Sequence, residues 1–334
     1  MAIQDIKKAA EYSAAEYHAA LRKLRRFLDS AEPSLVYFLT NLWRAQGKAI
    51  TYKELREAIL AGELSAEYLK DWQQDYNRFV VQHLLPAWDE AMKAATDELA
   101  AKYVDWNFNP MADGIKNWTE TKSAEFVTNV TQAQHDGLRA VVKRAARLEN
   151  RNVDSLARTV RSMVGLTRQQ AEANFNYYEN LLNNGVKEKK AQELAIRYAA
   201  RQHRYRGYNI ARTELAFAYN QGAYEGVKQA QAAGYMKDVV KIWCTAEDER
   251  TCEECGALEG KIVNMDDDLI SRQSCRKSGL RRLKKCLRRI LPVDVLCYSK
   301  KLTSKMTANR QQNGSTLLTF ENYSGIILAE YSVK

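Results

Sequence analysis

The chain is short of proline, with four in 334 residues, at 33, 86, 110 and 292. Proline removes a backbone donor and breaks helix interiors, so nothing of that kind interrupts the stretch from 111 to 291. Alanine, glutamine, glutamate, lysine and arginine dominate there, and helix is the default expectation. No apolar run reaches the roughly 20 residues that a membrane-spanning helix needs, so no membrane partner is expected. Histidine is scarce: His18, His83, His135 and His203 are the whole set. A Gly-rich phosphate loop, a Ser-His-Asp set and a His-Glu-x-x-His pattern are all missing, which removes the common signatures of nucleotide hydrolysis, acyl transfer and zinc proteolysis. The first thirty residues, "MAIQDIKKAAEYSAAEYHAALRKLRRFLDS", lack the apolar centre and cleavage site of a signal peptide and read as an amphipathic helix. The expectation is a protein kept in a reducing compartment, where six cysteines are thiols or metal ligands sooner than disulfides.

Positive charge, by contrast, is concentrated. The formal net charge of +10 resides in residues 271–301, where Arg272, Arg276, Lys277, Arg281, Arg282, Lys284, Lys285, Arg288, Arg289, Lys300 and Lys301 face Asp294 alone. Acids and bases balance in the remainder. Such a strip suits a polyanion, nucleic acid first. Arg276, Lys277, Arg281, Arg282, Lys284, Lys285, Arg288 and Arg289 are the candidate phosphate contacts, non-specific and salt-sensitive. As a helix, "SCRKSGLRRLKKCLRRIL" places Leu280, Leu283, Leu287 and Ile290 on one face, so a solvated face docked through its leucines is an alternative, and a membrane-surface helix is a third. An out-of-frame stretch of coding sequence would also produce an Arg/Cys-rich strip.

The pattern along the chain predicts a mainly α fold: a multi-helix body with a small α+β C-terminal module containing a Cys-x-x-Cys turn. A first helix is expected over 3–29 and a second from Pro33 to about 46. In "TYKELREAILAG", Thr51 and Glu54 form a capping box and Gly62 a stop. Ser65 starts a longer helix to about 104, with a kink expected at Pro86, and "DWNFNPMADG" breaks the chain at Asn109-Pro110. Further helical segments follow, one capped by Thr167 and Gln170 and stopped at Gly185, the last ending at Gly234. In that last helix Ala218, Gly222 and Gly226 recur every four residues and make a groove for a second helix. Beyond Gly234, "DVVKIWCTA" and "GKIVNM" read as short strands and "GSTLLTFENYSGIILAEYSVK" as a hairpin. These divisions suggest an N-terminal helical region at 1–108, a helical core at 109–234, a small module with the basic strip at 235–299 and a tail at 300–334.

In "WCTAEDERTCEECGALEGKIV" the thiols of Cys252 and Cys255 sit two apart on a turn, able to offer two thiolates to one Zn²⁺. A redox pair would sit at a helix start in a βαβ unit; here Glu253 and Glu254 raise the thiol pKa values instead. Metal turn, uncommitted thiols and redox pair stay open, in that order of fit. Glu214, early in the last helix, is either a general base or a carboxylate paired with Arg206, Arg212 or a neighbouring helix, and the pairing fits better because no nucleophile, His or second acid recurs nearby.

Together, "GLTRQQAEANFNYYENLL", "IARTELAFAYNQGAYEGVKQAQAAGY" and "KIWCTAEDERTCEECGALEGKIV" resemble the phage head morphogenesis family, the minor head proteins that include the F protein of phage Mu. Arg212, Thr213, Glu214, Trp243 and Asp248 carry the family pattern. The resemblance implies a bacteriophage head protein of the virion, assembled in the host cytoplasm, that binds portal protein and major capsid protein and is not an enzyme. The family usually closes its module with Pro-Pro-x-His-Pro-x-Cys-Arg-Cys, and "LPVDVLCYS" keeps only Pro292 and Cys297 of that ending. A zinc site here would take Cys252 and Cys255 with Cys297 and Asp294, Cys275 and Cys286 being alternates. The rival class is a zinc-dependent hydrolase or nuclease built on this module, with Glu247, Glu249 or Glu259 to activate water.

Overall fold

In a computed structural model, residues 14–148, 152–237, 239–243, 257, 261, 264–265, 295–298 and 327–330 are described. The body is mainly helical, as expected. Helix α1 spans Ala14–Ala49, α2 Tyr52–Ala61, α3 Glu67–Phe79, α4 Leu85–Lys102, α5 Asp113–Ala145, α6 Val153–Arg161, α7 Arg168–Asn183 and α8 Glu188–Ala232. Local turn chemistry sets several of these ends. Thr51 and Glu54 close a capping box on α2, and Gly62 follows in the left-handed region at φ 68°. Thr167 and Gln170 close a second box on α7, with Gly185 at φ 79° beyond it.

One expectation fails at Pro33. Helix α1 runs through it without a break. The proline deprives only the Asp29 carbonyl of its helical donor. Leu24 and Leu28 before it and Leu35 and Leu39 after it are all buried. Each such side chain is worth about 1.5–3 kcal/mol, which together exceed the ~3 kcal/mol cost of an interior proline. At Pro86 the expected disturbance appears one turn earlier. A π-helical turn, Val80–Leu84, separates α3 from α4, and the Leu85 amide donates to the Val80 carbonyl. This wide turn is a recognised site of helix deviation.

The chain gathers into two compact units, one formed by Met1–Ala31, Ala87–Lys116 and Arg212–Lys334, the other by Glu32–Pro86 and Asn117–Ala211. The second unit has a core of Trp43, Tyr76, Phe79, Phe126, Leu138, Phe175 and Tyr178. In the first, Trp106, Val227, Ala230, Met236, Val239 and Met265 form one buried cluster, flanked by Leu99, Tyr103, Phe108, Tyr224 and Tyr235. Strand β1, Val239–Trp243, pairs antiparallel with β2, Val295–Tyr298, and β3, Ile327–Glu330. Most of the C-terminal module, including its Cys-x-x-Cys turn, lies outside the described residues.

Candidate functional site

Arg212, Thr213 and Glu214 lie on α8, all partly buried. Arg212 donates from Nη2 to Asp29 Oδ1 at 2.9 Å. Arg206, which the sequence offered as a partner for Glu214, donates to the Gly165 carbonyl and packs over the Trp43 ring. The groove read from Ala218, Gly222 and Gly226 is occupied by α4. A Cβ on Gly222 would stand 2.4 Å from Met92 Cα, and one on Gly226 would stand 2.5 Å from Thr96 Cγ2. Only glycine lets the two backbones meet this closely.

Farther along α8, the Gln229 amide clamps the Asn109-Pro110 break. Gln229 Nε2 donates to the Asn109 carbonyl at 3.0 Å, and the Asn109 amide donates back to Gln229 Oε1 at 2.8 Å. Beyond Gly234, at φ 81°, Met236, Val239 and Met265 bury against this end of the helix. Trp243 pairs through its backbone with Val295, and Cys297 sits on β2 opposite Lys241. Cys252, Cys255, Cys275, Cys286, Asp248 and Asp294 lie outside the described residues, as does the basic strip from Arg276 to Arg289. No group of three or more His, Cys, Asp or Glu that could hold a metal occurs among the described residues.

The other unit holds a buried polar ladder. Trp43 Nε1 donates to the Tyr76 hydroxyl at 2.7 Å, which donates to Gln134 Oε1 at 2.5 Å. Gln134 Nε2 continues to Gln46 Oε1 at 3.0 Å, and Gln46 Nε2 to Asp75 Oδ2 at 3.1 Å. Burial pushes the Tyr76 phenol up to about 12, so it stays a neutral donor. Beside the ladder opens a cavity of ≈ 620 Å³. Its charged lining is Arg44 and Lys48 of α1, Arg158 and Arg161 of α6 and Arg204 of α8. His203 also lines it, and its ring donates from Nε2 to the Val164 carbonyl at 2.8 Å. Desolvation, with smaller contributions from Arg206 and Arg44 against that hydrogen bond, lowers its pKa to about 4. The ring is therefore neutral at physiological pH.

Sequence reasoning missed this cavity because its cations come from three distant segments, each supplying only one or two of them. The available signal was the run "RYAARQHRYRGY" at 197–208, where arginines alternate with tyrosines.

Residues 137–280 match the model of the phage Mu protein F like family. This segment is similar to that family. The match runs from within α5 through α6, α7, α8 and β1 and across the cysteine turn, so it contains the Ala-Arg-Thr-Glu motif and three of the five cavity cations. It bears out the resemblance carried by the motif residues. No curated protein and no solved structure matches the chain. Among the described residues no helix is long and apolar enough to cross a membrane.

Proposed function

We propose that the chain is a minor head protein of a tailed bacteriophage that binds portal protein and major capsid protein during head assembly and remains in the virion head. The observation that carries this reading is the family match over 137–280. The placement of the motif supports binding over chemistry. Arg212 is engaged with Asp29, and α8 beyond the motif packs on α4 through Gly222 and Gly226. A motif residue held in an ion pair, on a helix whose next turns are packed on α4, serves to hold a docking surface in shape. Co-purification with portal protein from infected cells tests the reading, and heads that contain none of the chain would refute it.

Two finer parts belong to the same proposal. The strip at 271–301 would contact DNA through phosphates, giving a salt-dependent gel shift. Cys252 and Cys255, with Cys297 and Asp294, form a donor set acceptable to a structural Zn²⁺. Nothing among the described residues favours the hydrolase or nuclease alternative, and metal-dependent turnover of nucleic acid, abolished by a chelator, is the result that would revive it.

A further inference from the structure

The helical body carries a concentration of positive charge that the balanced composition outside the strip conceals. Arg44, Lys48, Arg158, Arg161 and Arg204 border one cavity, and among the described residues no acidic side chain lines it. None of the five is paired with a carboxylate among the described residues; Arg44 bonds only to the Asn41 amide oxygen, at 2.7 Å. Five like charges around one concavity repel one another and focus a positive potential there.

The cluster is also organised. Arg161 donates from Nε to the Gly47 carbonyl at 2.6 Å and from Nη2 to the Lys48 carbonyl at 2.9 Å. Its guanidinium lies 4.5 Å from the Tyr52 ring centre, and that of Arg158 lies 5.9 Å from the same ring. Two of the five N–H groups of Arg161 are thereby used and three remain. Lys48, Arg158 and Arg204 are exposed at the rim.

We propose that this cavity binds phosphodiester groups of single-stranded nucleic acid, at a site separate from the strip at 271–301. Four of the five cations are arginines, whose planar forks suit phosphate oxygens. On the neighbouring stripe of α8, Arg197, Arg201 and Tyr205 are exposed, a basic track with an aromatic ring on which a base can stack. That track favours a polymer over an isolated phosphate. The inference is independent of any role in heads, so its failure would leave the assembly reading standing.

The test is fluorescence anisotropy of the purified full chain with a labelled single strand of about 20 nucleotides, titrated across salt. The cavity variant is Lys48→Glu/Arg158→Glu/Arg204→Glu; Arg161 is kept because it holds backbone carbonyls. A strip variant, Arg281→Glu/Arg282→Glu/Lys284→Glu, isolates the other basic region. The cavity variant is expected to bind at least about 10-fold more weakly near 0.1 M salt, with the slope of log K against log[salt] reduced by about 2, in both the wild-type and strip-variant backgrounds. A folded cavity variant with unchanged affinity and slope overturns the proposal. So does competition by polyglutamate as effective as that by unlabelled strand at equal charge. If charge reversal unfolds the protein, the Gln triple variant at the same positions serves, with the same slope change expected.

Discussion

The close approach of α4 and α8 makes a sharp prediction at Gly222. An added Cβ would meet Met92 Cα at 2.4 Å, Met92 O at 2.7 Å and Met92 Cβ at 2.8 Å. Two of these are backbone atoms, so no rotamer change relieves them. Restoring ordinary contact requires the helices to part by about 1 Å, which forfeits a large share of the dispersion along their interface. Overpacking of this kind costs about 1–3 kcal/mol, and here the backbone contact argues for the upper end. Alanine in place of glycine within a helix returns about 1 kcal/mol. Gly222→Ala is therefore expected to destabilise the protein by about 2 kcal/mol, read as a lowered urea midpoint. Gly226 supplies the internal control. Its new Cβ would strike Thr96 Cγ2 at 2.5 Å, a methyl that Thr96→Ser removes while keeping the hydroxyl that bonds the Lys93 carbonyl at 2.9 Å. Gly226→Ala should be rescued by Thr96→Ser, whereas Met92→Ala should not rescue Gly222→Ala. Neutral or stabilising behaviour of Gly222→Ala, or equal rescue in both double variants, would refute the packing argument.

Tyr76→Phe removes a hydroxyl that serves Trp43 Nε1 and Gln134 Oε1 at once; with two buried partners orphaned, urea unfolding should show a loss of about 2 kcal/mol or more. His203, held at about 4, gives a pH dependence of definite sign: between the unfolded value near 6.5 and about 4 the unfolded chain takes up a proton that the folded chain refuses. Stability should therefore fall as pH drops through that window, by up to about 3 kcal/mol from this residue. His203→Gln, which retains a donor for the Val164 carbonyl, should lose correspondingly less between pH 7 and 4 in the same urea series. Elemental analysis should find zinc in the wild-type protein and a reduced content in Cys252→Ser and Cys255→Ser; equal zinc in all three would remove the cysteine turn as its ligand.

What the sequence reveals about this fold follows the range of the interactions involved. Thr51 with Glu54, and Thr167 with Gln170, announce helix starts because each cap closes within three residues. Gly222 and Gly226 announce a close helix contact because their spacing repeats on one face, although α4 as the occupant could not be read from them. Pro33 misleads for the converse reason. Its local cost is visible in the sequence, but the burial of Leu24, Leu28, Leu35 and Leu39 that outweighs it exists only once the chain has folded.

The same reasoning separates the two basic regions. The strip at 271–301 is conspicuous because its charges are adjacent in sequence, and net charge counts them together. The cavity cations are brought together only in space, one or two from each of three segments far apart in the chain. Electrostatic potential depends on distance in three dimensions, so a composition that balances overall outside the strip and a strongly positive concavity are compatible. The family motif obeys this logic as well. Arg212 gains a partner, Asp29, from 183 positions away, and this partly exposed ion pair ties α8 to α1. A motif residue engaged in that way is recognisable in sequence as family pattern, but its physical role emerges from the contact. On this argument Arg212→Ala should act through stability, leaving whatever binding remains in the folded fraction unchanged.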